Sequence, residues 1–423
     1  MQKIQMRSLG NGVRLTCITT GQWKTSLMSA SFLLPLGAAG RSVSALLPET
    51  LRSSCAHYMG RQKVAVRLDE LYGARLEPFV GKRGEVQTIG VMADAVDECY
   101  ALGAAESLAQ QTAQLVTDIL LHPALPFAEA VLKTEAASLK SRIAALSNNK
   151  RTWVVRRMFQ HMCQQEDYRL VELGDAEVLD AVTPERLEKK YECVLRTAPL
   201  ELFYCGSLEV ERVEQMFRDA CSSLPPRSDL VVPSAFVPKT AGVLRAVTEE
   251  EAVKQGKLAI GFRLGMTAEH PLYPAMVIAN ACYGGSTGSR LFRTVREEKS
   301  LCYYASSQMD KLKGVMAVSS GIENANKQRA EDEILHQLKL MQQGDLTREE
   351  VEAARRFVLA SLRTQGDSPY ALESFYRTQA AGGLPVTLER LAEDVRRMSY
   401  EQVLEVVRLV QPELVYFLKG AAV

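Results

Sequence analysis

The chain has 423 residues, 47% of them hydrophobic, enough to bury large cores and too many for one ordinary domain of roughly 100–200 residues. Its 51 Lys and Arg against 50 Asp and Glu leave a net charge of +1, which excludes a general electrostatic attraction for nucleic acid or acidic lipid. Nine cysteines without paired spacing suit reduced, mostly buried thiols, and no CxxC redox or metal motif occurs.

The N-terminal run MQKIQMR has no apolar core of signal-peptide length, and nowhere do roughly eighteen apolar residues follow one another. A soluble, cytoplasmic protein is expected. Residues 30–55 then read as an apolar strand ending at Gly37, a small-residue loop and a helix. Residues 71–91 read as two alternating strands around a basic turn containing Gly84. Amphipathic helices follow at about 105–121, 127–147 and 151–165. The short basic patch of Lys150, Arg151, Arg156 and Arg157 is expected to be a solvated helix face. Residues 183–206 give a helix and one hydrophobic strand.

Four prolines in residues 223–240 forbid a continuous helix and favour an extended connector. Beyond it the pattern repeats. Residues 258–283 give a strand ending at Gly265 and a helix, and 301–321 a hairpin turning at Gly314. Helices are predicted at about 325–343, 347–364 and 369–381, and residues 399–420 close with a helix and a strand. Three matches in the same order indicate duplication. The expected organisation is an N-terminal α+β domain at 1–224, a Pro-rich linker at 225–240 and a C-terminal α+β domain at 241–423. Each of these two homologous domains is expected to be a mostly antiparallel sheet covered by helices.

The chemistry-bearing residues are few. The histidines His57, His122, His161, His270 and His336 stand isolated along the chain. The nearest grouping, His161 with Cys163, falls on different helix faces, so no metal site is expected in this chain. There is no GxSxG elbow, and buried structural cysteine is the default for each thiol. Gly284 and Gly285 permit a tight turn, but no GxxxxGK follows, which excludes a phosphate loop.

The stretch GGSTGSRLFRTVREEKSLCYY (284–304), within the strand and helix order above, resembles the pitrilysin or insulinase-like zinc peptidases, in their processing-peptidase-like branch. The resemblance spans nearly the whole chain and implies a zinc-peptidase half-clamshell fold. It matches Arg296 and Tyr303 to the family's Arg–Tyr pair, which reaches toward the scissile carbonyl from the half opposite the zinc. A guanidinium and a phenol both donate hydrogen bonds to developing oxyanion charge. The alternative for this segment is structural, with Arg296 paired to a nearby glutamate and Tyr303 simply packed.

Active members of that family hold zinc through HxxEH on the first helix and a glutamate on a later one. Here the corresponding segment, Ser44 to Leu51, contains no histidine, and His57 lies beyond the helix. The later helix offers Glu129 and Glu135, with Ser141 near the position of the ligand. Glu49 reads as a relic of the catalytic position or as an ordinary polar face residue. Pro48 is expected to shorten or kink the first helix.

The resemblance therefore implies an inactive homologue that is not an enzyme on its own. It would be the non-catalytic subunit of a heterodimeric zinc peptidase, closing a peptide-binding chamber and lending Arg296 and Tyr303 to the substrate carbonyl. No catalytic residue and no cofactor are expected in this chain, and zinc is expected in an HxxEH-containing partner. The alternative is a purely structural or peptide-binding scaffold subunit. A third reading, a hydrolase with an unconventional site, would need activity from the isolated chain that survives chelation. Within the family the chain resembles bacterial metal-site-free members associated with 5-aminopentanol modification of elongation factor P. LDELYGARL (68–76) and the basic turn Gly81 to Gly84 carry that likeness.

Overall fold

The repeated strand and helix pattern builds two mixed sheets in a computed structural model that describes residues 2–101, 106–227, 230–231 and 240–420. Most of the expected Pro-rich linker lies outside the described residues. In chain order the first half runs β1 (Lys3–Gly10), β2 (Val13–Thr19), β3 (Thr25–Pro35), α1 (Arg41–Ser53), α2 (Arg61–Glu70), β4 (Arg75–Arg83) and β5 (Val86–Val96). It continues with α3 (Leu108–Leu121), α4 (Glu129–Ala145), α5 (Lys150–Met162), α6 (Ala176–Leu179), α7 (Pro184–Thr197), β6 (Leu200–Gly206) and α8 (Val210–Ala220). The second half runs β7 (Arg245–Glu251), β8 (Gly256–Arg263), α9 (Tyr273–Asn280), β9 (Tyr304–Asp310) and β10 (Val315–Ile322). It ends with α10 (Lys327–Gln342), α11 (Arg348–Gly366), α12 (Pro369–Ala381), α13 (Leu388–Arg397), α14 (Tyr400–Val407) and β11 (Gln411–Gly420).

The first sheet has the order β1-β2-β6-β3-β5-β4 and the second β7-β11-β8-β10-β9. In each, one parallel pair, β2 with β6 and β7 with β11, stands among otherwise antiparallel neighbours. The hairpin turns carry Gly84 and Gly314 at φ of 57° and 67°, a left-handed backbone that glycine adopts without steric cost. The fold is thus the α+β arrangement read from the sequence, made twice.

Two contact-dense units divide the chain. The first comprises Met1–Ala144, Leu170–Ser234 and Ser368–Gly382, and the second Ala145–Arg169, Ala235–Asp367 and Gly383–Val423. Helix α12 therefore packs on β3 and β6 of the first sheet, and α5 packs on β8, β10 and β11 of the second. In the second unit, Leu258, Ile260 and Phe262 of β8 join the core built by α9, α10, α11 and α14. Ala259 of the same strand faces the other way, toward Val154, Met158 and Met162 of α5. Gly261 admits α5 closely, since a Cβ there would lie 2.4 Å from the Met158 sulfur.

The basic patch on α5 is not a solvated face. Lys150 pairs with Glu251, Arg157 with Glu249, and Arg151 lies 4.3 Å from the Tyr304 ring centroid. The acidic run on β7 thus takes up the charges of Lys150 and Arg157, which the spacing on α5 alone could not reveal. Pro48 does not shorten α1 either, because the helix runs through it to Ser53. Ten of the residues flanking it along the helix are buried, so tertiary packing outweighs the lost backbone bond.

Candidate functional site

Helix α1 leaves Gly40 in the left-handed region and buries nearly all of the Ser44 to Leu51 segment. Its one acidic side chain there, Glu49, is surrounded by arginines: Arg52 at 2.6 Å, Arg61 at 3.6 Å and Arg142 at 3.7 Å. On α4, the buried Glu135 accepts bonds of 2.6 and 2.8 Å from Arg61 and one of 2.9 Å from the Ser53 hydroxyl. Glu129 is exposed and pairs with Lys133, and the Ser141 hydroxyl donates to the Ala137 carbonyl. These residues do not fit a zinc ion. The α1 segment offers no imidazole, and the carboxylates nearby are neutralised by guanidinium groups that repel a divalent cation.

Arg296 and Tyr303 flank the other sequence motif. Residues 281–285 and 291–298 form π-helical turns, a backbone form that recurs at functional sites. The Arg296 guanidinium lies 4.5 Å from the Phe292 ring centroid, a cation–π contact in place of the glutamate pairing considered from sequence. Tyr303 is 59% exposed and its hydroxyl donates to Glu323 at 3.2 Å. Its neighbour Tyr304 turns inward against Arg151. The buried arginine of the motif is Arg290, which pairs with Glu350 at 2.9 Å and Asp345 at 3.3 Å. The motif spelling gave no signal that distinguished the anchoring arginine from the exposed one.

The histidines are not all isolated. His57, Asp118 and His122 come together, and among the described residues they are the one group of three His, Cys, Asp or Glu side chains placed to hold a cation. His161 and Cys163 do diverge as expected: His161 lies 3.1 Å from Glu249, while Cys163 sits beside Arg263. Burial pushes the Cys163 thiol up to about 12, against the nearby Arg263 charge. Cys17, Cys205, Cys221 and Cys282 are likewise raised to about 12 by burial, so none is a thiolate nucleophile near neutral pH.

The first unit also holds a polar cleft between α12 and the sheet, lined by Ser29, Ser31, Glu201, Glu373, Tyr376 and Arg377 among others. The cavity there is only about 10 Å³, room for about one water molecule and far below the roughly 300–1,000 Å³ of ordinary ligand sites. Burial raises the Glu201 carboxyl to about 7 despite Arg14 at 2.7 Å. Glu373, also buried, accepts from the Ser29 hydroxyl at 2.9 Å.

Residues 181–358 match the protein family described as Peptidase M16 inactive domain. The chain is 28% identical over 423 residues to the probable inactive metalloprotease YmfF of Bacillus subtilis strain 168, covering 98% of each. A conserved protein from Enterococcus faecalis V583 superposes with a TM-score of 0.87 at 23% identity over 99% of both chains. A Pseudomonas fluorescens structure described as a peptidase M16 inactive domain does so at 0.77 and 16% identity, again over 99% of both. Residues 181–358 are thus similar to a family of inactive M16 domains, the whole chain is similar to a relative described as a probable inactive metalloprotease, and the α1 segment offers no imidazole.

Proposed function

We propose that this chain is the non-catalytic subunit of a heterodimeric zinc peptidase. A homologous partner with an intact HxxEH helix supplies the zinc and the water it polarises. This chain closes a chamber that captures peptide and presents Arg296 and Tyr303 to the scissile carbonyl, where both donate hydrogen bonds to the developing oxyanion. The observation that carries the reading is the α1 and α4 region, where arginines hold Glu49 and Glu135 and no imidazole is offered, while Tyr303 remains exposed. We place the protein in the cytoplasm, where the free thiols of the described cysteines stay reduced. Its process, on the likeness of its sequence, is 5-aminopentanol modification of elongation factor P.

The test is to capture the tagged protein from its native cells and assay zinc and peptidase activity before and after separating what comes with it. Zinc and activity residing in a co-purifying HxxEH chain support the proposal, and peptidase activity in this chain alone overturns it. Arg296→Ala in the complex should lower turnover while leaving the complex intact. The mass of elongation factor P from a strain lacking the gene tests the process separately: an unchanged modification removes that part alone.

A purely structural or peptide-binding scaffold is the second reading. Arg296 and Tyr303 each already have a partner within the chain, Phe292 and Glu323, which favours it. Unchanged turnover in the Arg296→Ala complex would select it.

A further inference from the structure

Asp118 is 2% exposed at its side chain, and its partners among the described residues are two imidazoles and the Gln114 amide. His57 Nδ1 lies 3.0 Å from one carboxylate oxygen and His122 Nδ1 3.0 Å from the other. This differs from Glu135, whose buried charge is matched by the permanent cation of Arg61. Imidazoles are cations only when protonated, so the charge on Asp118 has no permanent counter-ion in its first layer. An imidazole nitrogen and a carboxylate oxygen this close need a proton or a metal between them.

We propose that His57, Asp118 and His122 form a binding site for one divalent transition-metal ion of the zinc type, separate from the α1 segment where M16 peptidases carry HxxEH. The ligand atoms all lie within 4.8 Å of one another. Bonds of roughly 2.0–2.2 Å to a tetrahedral ion put ligand atoms about 3.3 Å apart, so side-chain movements of no more than about 1.5 Å would close the cluster on an ion. Two nitrogens and one oxygen suit zinc, cobalt, nickel or copper, whereas calcium and magnesium require oxygen ligands. His57 is half exposed, which leaves the fourth position to water.

The backbone holds the ligands in place. Asp118 and His122 stand four residues apart at the C-terminal end of α3, joined by a bond of 2.9 Å from the His122 amide to the Asp118 carbonyl. The segment carrying His57 is tied alongside by a bridge between Cys55 and Pro123 and by the Ala56 amide, which donates to the His122 carbonyl at 2.8 Å. Outside the ligand layer, Ser223 Oγ lies 2.8 Å from His122 Nε2, and Gln114 donates to Asp118 at 2.7 Å. With the Ser223 hydroxyl accepting from Nε2–H, the His122 tautomer presents its Nδ1 lone pair to the ion, and the Gln114 amide orients the carboxylate. Both are the outer-layer contacts that metal ligands use.

The test is titration of the chelator-treated full chain with zinc by calorimetry and with cobalt by visible absorption. The expected result is one equivalent bound, cobalt d–d bands without a thiolate charge-transfer band, and a higher melting temperature. His57→Ala, at a half-exposed position, should weaken binding by at least about 100-fold, and Ser223→Ala, an outer-layer change at an exposed residue, by about 10–100-fold. Failure to bind an equivalent, uptake unchanged in both variants, or a thiolate charge-transfer band would overturn the assignment.

Discussion

The Arg61 guanidinium grips the buried Glu135 carboxylate with two hydrogen bonds, of 2.6 and 2.8 Å, and reaches Glu49 at 3.6 Å. One arginine from the start of α2 therefore satisfies acidic groups on both α1 and α4. Arg61→Ala would strand a buried charge that, among the described residues, retains only the Ser53 hydroxyl. Because Arg61 is itself half exposed, the expected loss is about 1–3 kcal/mol, below the usual cost of breaking a fully buried pair. Glu135→Gln in the same chain should recover part of it, since the amide needs no counter-charge, and urea denaturation of the four proteins of the cycle measures the coupling.

Gly90 pairs with Ser31 and Phe79 across the first sheet, and a Cβ there would sit 2.2 Å from the Ala30 carbonyl oxygen. That atom is backbone and cannot rotate away. Gly90→Ala should cost more than about 3 kcal/mol, read as a fall in the urea midpoint, or leave no folded protein. Gly37→Ala, where nothing lies within 4 Å of the new methyl, is the control expected to melt with wild type.

Much of this architecture was legible in residue patterns. Alternation marked β4, β5, β9 and β10, and glycines marked their turns. What periodicity cannot say is which sheet a helix covers, because an apolar stripe carries no address. The contacts of α12 with β3 and of α5 with β8 were invisible for that reason. The His57, Asp118 and His122 cluster escaped similarly: reading spacing along one element misses ligands joined across the Cys55–Pro123 bridge. The lack of HxxEH needed no tertiary information, whereas the arginines gathered round Glu49 came from three separate places in the chain.

Glu201 makes stability depend on pH near neutrality. Burial raises its carboxyl from 4.5 to about 7, so the folded state holds a proton that the unfolded state releases. The contribution is fully present below pH 4.5 and is lost as pH rises through 7, a swing of about 3 kcal/mol. Glu201→Gln should flatten the stability profile in this window and leave the protein relatively more stable at pH 8. A profile as steep as wild type would show that another group titrates.

Glu166 works in the opposite sense. Burial pushes its carboxyl up, but Arg263 at 2.6 Å and Lys313 prevail and bring it down to about 2. Its contribution is present above 4.5 and is lost as pH falls through 2. Glu166→Gln should cost about 3–5 kcal/mol at pH 7, because it leaves two buried cations short of charge, and the penalty should shrink below pH 4.5. Guanidinium melts at pH 7 and pH 3 read the difference.

The arginines of the 284–304 motif divide by burial, and their variants should divide with them. Arg290→Ala removes the one buried cation that pairs with both Glu350 and Asp345, leaving Glu350 with the exposed Arg293, and should destabilise by about 3 kcal/mol. Arg296→Ala forfeits only a cation–π contact with Phe292, worth about 0.5–1 kcal/mol at an exposed site. Tyr303→Phe loses one exposed hydrogen bond to Glu323 and should leave the melting temperature nearly unchanged. Thermal melts of the three variants test this ordering. It matters for the proposed function, because a drop in turnover of the proposed complex caused by Arg296→Ala or Tyr303→Phe would then be assigned to the lost hydrogen-bond donor rather than to unfolding, while the same drop in Arg290→Ala would not.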